Sequence, residues 1–129
     1  MDNHKKLALA DLMARAEQRK QDKKTFKSVY FHSLGGELTF ERIPLTRALA
    51  FSDGLDEDKL VDNLEANIEL IYQCCPMMRN RELQEAYDCK EPTDIVCALF
   101  EDNLNDISYA AQEILAFYGM RDIKEDVKN

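Results

Sequence analysis

The sequence predicts an α+β fold, with one N-terminal β-hairpin packed on a bundle of four or five α-helices. Gly35-Gly36 sits between two runs that alternate apolar and polar residues, the pattern of paired strands. From Leu60 onward, apolar residues recur at spacings of three and four, the pattern of helices with one buried face. Pro44, Pro76 and Pro92 fall between these segments, where a fixed φ and a missing N–H punctuate regular structure.

The elements follow in order. Leu9, Leu12, Met13 and Ala16 give residues 5–20 a narrow apolar stripe at helical spacing, and Gln18 to Lys24 is wholly polar. Residues 1–24 are therefore expected to form a mobile amphipathic helix and linker, 25–120 a single α+β domain, and 121–129 a charged flexible tail. A type I′ turn at Gly35-Gly36 would pair Ser28–Ser33 with Glu37–Ile43 and set Phe31 opposite Phe40. Val29, Phe31, Leu38 and Phe40 then share an apolar face that must pack on helices, because an isolated hairpin is marginal in water. Thr46 to Phe51 reads as a short helix after Pro44.

The longest helix is expected to start at an Asp56 cap closed by a Leu55–Leu60 staple, and to bury Leu60, Leu64, Ile68, Ile71 and Cys75. Pro76 stops it. Leu83, Ala86 and Tyr87 mark a further short helix, and Pro92 suits the first position of the next, whose apolar side is Ile95, Val96, Leu99 and Phe100. Asn103 is placed to cap a last helix bearing Ile107, Ala111, Ile114 and Tyr118, with Gly119 as its C′ residue.

The chain has 129 residues, 45% of them hydrophobic and 33% charged, with a net charge of −8. That size and composition suit one globular domain. No run approaches the ~20 apolar residues of a membrane span, and no apolar stretch with a cleavage site follows Met1, so a cytoplasmic location is expected. The charge is unevenly placed. Residues 1–24 hold seven Lys and Arg against four acids, a net +3, which leaves −11 on the remainder. So acidic a body disfavours nucleic acid and anionic membranes and suits a partner with basic character.

Catalytic chemistry has no anchor in this pattern. There is no Walker motif, no GxGxxG after a strand, no GxSxG and no HExxH. Cys74, Cys75, Cys89 and Cys97 form no CxxC, and His4 and His32 are distant from them in sequence, so neither zinc nor any other cofactor is expected. They read as reduced thiols, some buried as small hydrophobes. His32, on the mixed face of the hairpin near Thr39, reads as a surface residue. The acids Asp53, Asp56, Glu57 and Asp58 lack the alternating ligands of a calcium loop, since Asn67 stands where its last carboxylate would be. An enzyme is not expected. Met77-Met78 beside Pro76 is either core filler or an adaptable contact surface. A partner surface is expected from Leu9, Leu12 and Met13 together with Met77 and Met78.

The order of segments also carries a resemblance. Ser33-Leu34-Gly35-Gly36 is followed by Asn67-Ile68-Glu69-Leu70-Ile71-Tyr72 and Cys75-Pro76. Glu82-Leu83-Gln84-Glu85-Ala86-Tyr87, Glu91-Pro92-Thr93-Asp94-Ile95-Val96 and Tyr118-Gly119-Met120 come after them. From about Leu9 to Met120 this resembles the tail assembly chaperone family of long-tailed phages and prophages of Gram-positive bacteria, the XkdN-like group. The Cys74-Cys75 pair departs from the small or aliphatic residues the pattern leads one to expect. The resemblance implies a protein that binds the tape measure protein, keeps it soluble and helps recruit tail tube subunits in the host cytoplasm, and that is absent from the mature virion. It implies no catalytic or metal residue. Self-association into a homo-oligomer is open. The reading from a different class is a small acidic regulatory adaptor, antirepressor-like or antitoxin-like, that binds a basic partner protein.

Overall fold

Alternation around one glycine turn and long helical stripes meet in the computed structural model, which describes residues 4–21, 26–50 and 60–119. The order is α1 (Leu9–Gln21), β1 (Phe26–Phe31), β2 (Gly36–Glu41), α2 (Leu45–Ala50) and α3 (Leu60–Cys74). A 3-10 turn (Pro76–Arg79), α4 (Arg81–Ala86), α5 (Asp94–Leu99) and α6 (Leu104–Ala116) complete it. One antiparallel hairpin and the helices after it make the fold α+β. The Asp56 cap, the Leu55 staple, the acids at 53–58, the stretch 22–25 and the tail lie outside the described residues.

The hairpin register differs from the expected one. Val29 pairs with Leu38, Phe31 with Gly36 and Lys27 with Phe40, so Phe31 does not face Phe40. The loop is His32–Gly35, closed by the Gly35 N–H donating to the Phe31 carbonyl at 3.0 Å. Gly35 takes φ 67°, whereas Gly36 is the first residue of β2. The longer loop lets Leu34 pack against the core; the two-residue turn would have left it on the polar face. The register slips by an even number, which preserves the faces. Val29, Phe31, Leu38 and Phe40 are all buried, as the alternation predicts.

Helices α3 and α6 pack on each other, and the hairpin leans on both. The α3 stripe needs correction. Leu60 is 64% exposed, Leu64 and Ile68 are half-buried, and the fully buried line is Leu70, Ile71 and Cys74, with Cys75 just past the helix end. Burial grows along α3, from exposed Leu60 through Leu64 and Ile68, which pack against the core from its edge, to the fully buried C-terminal turn. Pro76 ends the helix and opens the 3-10 turn, where Arg79 donates to the Gln73 carbonyl at 2.5 Å and to Glu41 Oε1 at 2.7 Å. One guanidinium thus satisfies the negative end of α3 and fastens it to β2.

Asn80 caps α4 and Asn103 caps α6, each side chain accepting from the N–H three residues on. Pro92 is not the first helical residue. Helix α5 starts at Asp94, whose carboxylate reaches back to the Glu91 N–H at 3.0 Å. Helix α6 buries Ile107, Ala110, Ala111 and Ile114, and Gly119 takes the expected left-handed φ, 79°, one residue beyond the C′ position because the cap is Phe117.

Polar ties join the hairpin and the segment just after it to α6 and its C-terminal turn. Lys27 pairs with Glu113 at 2.8 Å. The Tyr118 hydroxyl accepts from the Ile43 N–H at 2.9 Å and donates to the Ile43 carbonyl at 2.8 Å. Ile43 is buried, and Pro44 beyond it cannot continue a ladder, so that hydroxyl serves both of its backbone groups. Tyr118→Phe should therefore lower stability by about 1–3 kcal/mol, the cost of leaving such groups unpaired, and urea denaturation would measure it. Among the described residues, no helix is long and apolar enough to cross a membrane.

Candidate partner-binding surface

Helix α1 carries the first three expected contact residues. Leu9, Leu12 and Met13 lie on one face at three- and four-residue spacing and are 73%, 49% and 61% exposed. No residue of α1 from Leu9 to Lys20 is buried. The start of the helix is nonetheless well made. Asp11 accepts from the Ala8 N–H at 2.9 Å and pairs with Lys5 at 3.2 Å. The Ala8 hydrogen bond, with Lys5 second, holds the Asp11 carboxyl below its usual value. On one flank of the stripe stand Arg15 and Arg19, one turn apart.

The methionine pair divides. Met77 is 60% exposed, but Met78 is fully buried and belongs to the hydrophobic core. A 3-10 turn advances about 120° per residue, so consecutive side chains cannot share a face. Met78 is therefore corrected from contact residue to core residue, and its carbonyl accepts from Gln84 Nε2 at 2.8 Å. The structure unites Leu9, Leu12 and Met13 on one helix; Met77 stands on a separate element.

Two features escaped sequence reasoning. The first is an open groove of about 630 Å³ between α3 and α5. Ile68 and Cys97 contribute apolar lining, and Glu65, Glu69, Asp94 and Asp102 supply carboxylates. The i, i+4 spacing of Glu65 and Glu69 was visible in the chain; the opposite wall was not. The second is a smaller cleft where Tyr30, His32, Asp106 and Tyr109 converge. His32 lies edge-on to Tyr30 with ring centroids 5.0 Å apart, while Thr39, its expected neighbour, pairs with Ser28 across the strands at 3.2 Å. Asp106 accepts from Ser33 Oγ at 2.6 Å. That direct serine–carboxylate bond anchors the hairpin loop to α6 and is not the order of a nucleophile activated through histidine.

The thiols are not poised for chemistry. Cys74 and Cys75 are fully buried, and burial, aided by Glu41, pushes the Cys74 thiol up to about 12. Burial raises Cys75 as well. For half-buried Cys89 and Cys97 burial again leads, with carboxylates including Asp94 adding to the rise. The thiolate is the reactive form, so none of the four is activated. Among the described residues, no three His, Cys, Asp or Glu side chains come together as a metal site would need.

No known protein family, curated protein or solved structure matches the chain.

Proposed function

We propose that this chain is a tail assembly chaperone of a phage or prophage. It binds the tape measure protein in the host cytoplasm, keeps it soluble and helps recruit tail tube subunits, and it is not a component of the finished virion. It acts by binding alone, without catalysis or a cofactor. The observation that carries this reading is the α1 stripe, three large apolar side chains held open on a capped helix. A tape measure protein is a long helical chain with apolar faces that stay exposed until the tube covers them, and an amphipathic helix is a suitable partner for such faces. The net −11 beyond residue 24 keeps the resulting complex in solution. The ordered segments from Ser33 to Met120 supply the family resemblance.

The test is co-expression with the long tail protein encoded beside it. The tape measure fragment should move from the insoluble to the soluble fraction and co-purify with this chain. A fragment equally insoluble with and without the chain overturns the proposal.

A second reading rests on the acidic α3–α5 groove, which suits a small regulatory adaptor, antirepressor-like or antitoxin-like, holding a basic partner protein. The gene neighbourhood separates the two, since a chaperone gene should lie between genes for the tube protein and a very long tape measure protein.

A further inference from the structure

Two unpartnered features among the described residues match each other. Helix α1 offers an apolar stripe edged by Arg15 and Arg19, i and i+4, and neither arginine makes an ion pair among the described residues. The α3–α5 groove offers apolar lining at Ile68 and Cys97, edged by Glu65 and Glu69, also i and i+4. Four residues of helix rise about 6 Å, so two arginines and two glutamates so spaced can meet as pairs when the helices run side by side. Asp94 and Asp102 add negative charge on the opposite side of the groove. Val61, 66% exposed and one turn before Glu65, extends the apolar surface along α3.

We propose that the groove between α3 and α5 receives α1 of a second copy of this chain. The charges decide the occupant. A groove with four carboxylates favours a helix that presents cations beside an apolar stripe, and α1 sets Arg15 and Arg19 along the flank of Leu12 and Ala16. The topology favours the exchange between copies. Glu65 and Glu69 lie on the side of α3 turned away from Leu70, Ile71 and Cys74, while half-buried Ile68, which packs against the core, forms the groove's apolar floor beside them. Helix α1 enters the fold through β1, whose apolar face is packed into that core. Docking in trans covers Leu9, Leu12 and Met13, so a second copy and the tape measure protein compete for the same stripe, and it neutralises part of the acidic body in the same step. The inference shares with the proposed function only the premise that the α1 stripe docks, and it is tested on the protein alone.

Sedimentation velocity on the full chain should show reversible association that rises with concentration and weakens with salt, as expected of charge pairs at a partly exposed seam. Two charge-reversed variants then separate the arrangements. Glu65→Lys with Glu69→Lys reverses the groove edge, and Arg15→Glu with Arg19→Glu reverses the helix edge. Each alone should be monomeric. Their equimolar mixture should regain a species of twice the monomer mass, because the reversed helix of one fits the reversed groove of the other. Arg15, Arg19 and Glu65 are exposed and Glu69 is half-buried, and circular dichroism checks that each variant stays folded. A mixture that remains monomeric overturns the proposal, whether because α1 docks on its own body or because the groove serves only a foreign partner. Wild-type protein that is monomeric at every concentration overturns it as well. Tape measure co-purification is read separately, so loss of one result leaves the other standing.

Discussion

Phe31→Ala should lower stability by about 3–5 kcal/mol, the range for removing a buried aromatic side chain. Phe31 is 2% exposed at the end of β1, where the hairpin meets the helices. Its ring centroid lies 5.0 Å from that of Phe100 after α5, 5.7 Å from Tyr109 on α6 and 6.4 Å from Phe40 on β2. Three parts of the chain separated by up to 78 positions thus meet at one ring, and no single neighbour can refill its volume. Such a loss is a large share of a total stability of about 5–15 kcal/mol. Chemical denaturation followed by far-UV circular dichroism measures it. Leu60→Ala supplies the contrast, since at 64% exposure its change should stay within about 0.5 kcal/mol. Equal effects of the two substitutions would mean that the packing around Phe31 is wrong.

These two positions also show how far the chain could be read without its structure. Alternation places Phe31 on the buried face correctly even with the register misjudged, because side chains repeat every two residues and the slip was even. Helical spacing alone put Leu60 in the core, but periodicity cannot tell where along a helix the partner surface stops. The cap at Asn103 and the left-handed glycine at Gly119 were legible because their signals are local. The chain reversal after α5 was not. It is made by Glu101 and Asp102 at φ 52° and 59°, left-handed positions occupied by two acids with no glycine to announce them. The α3–α5 groove depends on that reversal, since Asp102 lines it, and was invisible for the same reason. The exposure of Leu9, Leu12 and Met13 was legible from a stripe too narrow for a core. Met78 was misplaced because adjacency in sequence does not survive a 3-10 turn.

Replacing Leu9, Leu12 and Met13 together by Asp should leave the fold intact and abolish capture of the tape measure fragment. The fold survives because none of the three is buried and no residue of α1 from Leu9 to Lys20 enters the core. Binding is lost because a fully buried Leu or Met side chain is worth about 1.5–3 kcal/mol, so forfeiting even two of them costs about 3 kcal/mol or more. That amounts to at least about a hundredfold in Kd. Three new carboxylates at the seam add desolvation cost on top. Met77→Asp, at a residue 60% exposed, is the companion variant and should weaken capture with the fold unchanged. Met78→Asp cannot serve, because a carboxylate at a fully buried position would unfold the domain and lose binding for that reason alone. The measurements are circular dichroism for the fold and affinity co-purification for the partner. If the folded triple variant held the fragment at wild-type affinity, α1 would not be the contact element, and capture would have to run through the surface around Met77 or the carboxylates of the α3–α5 groove.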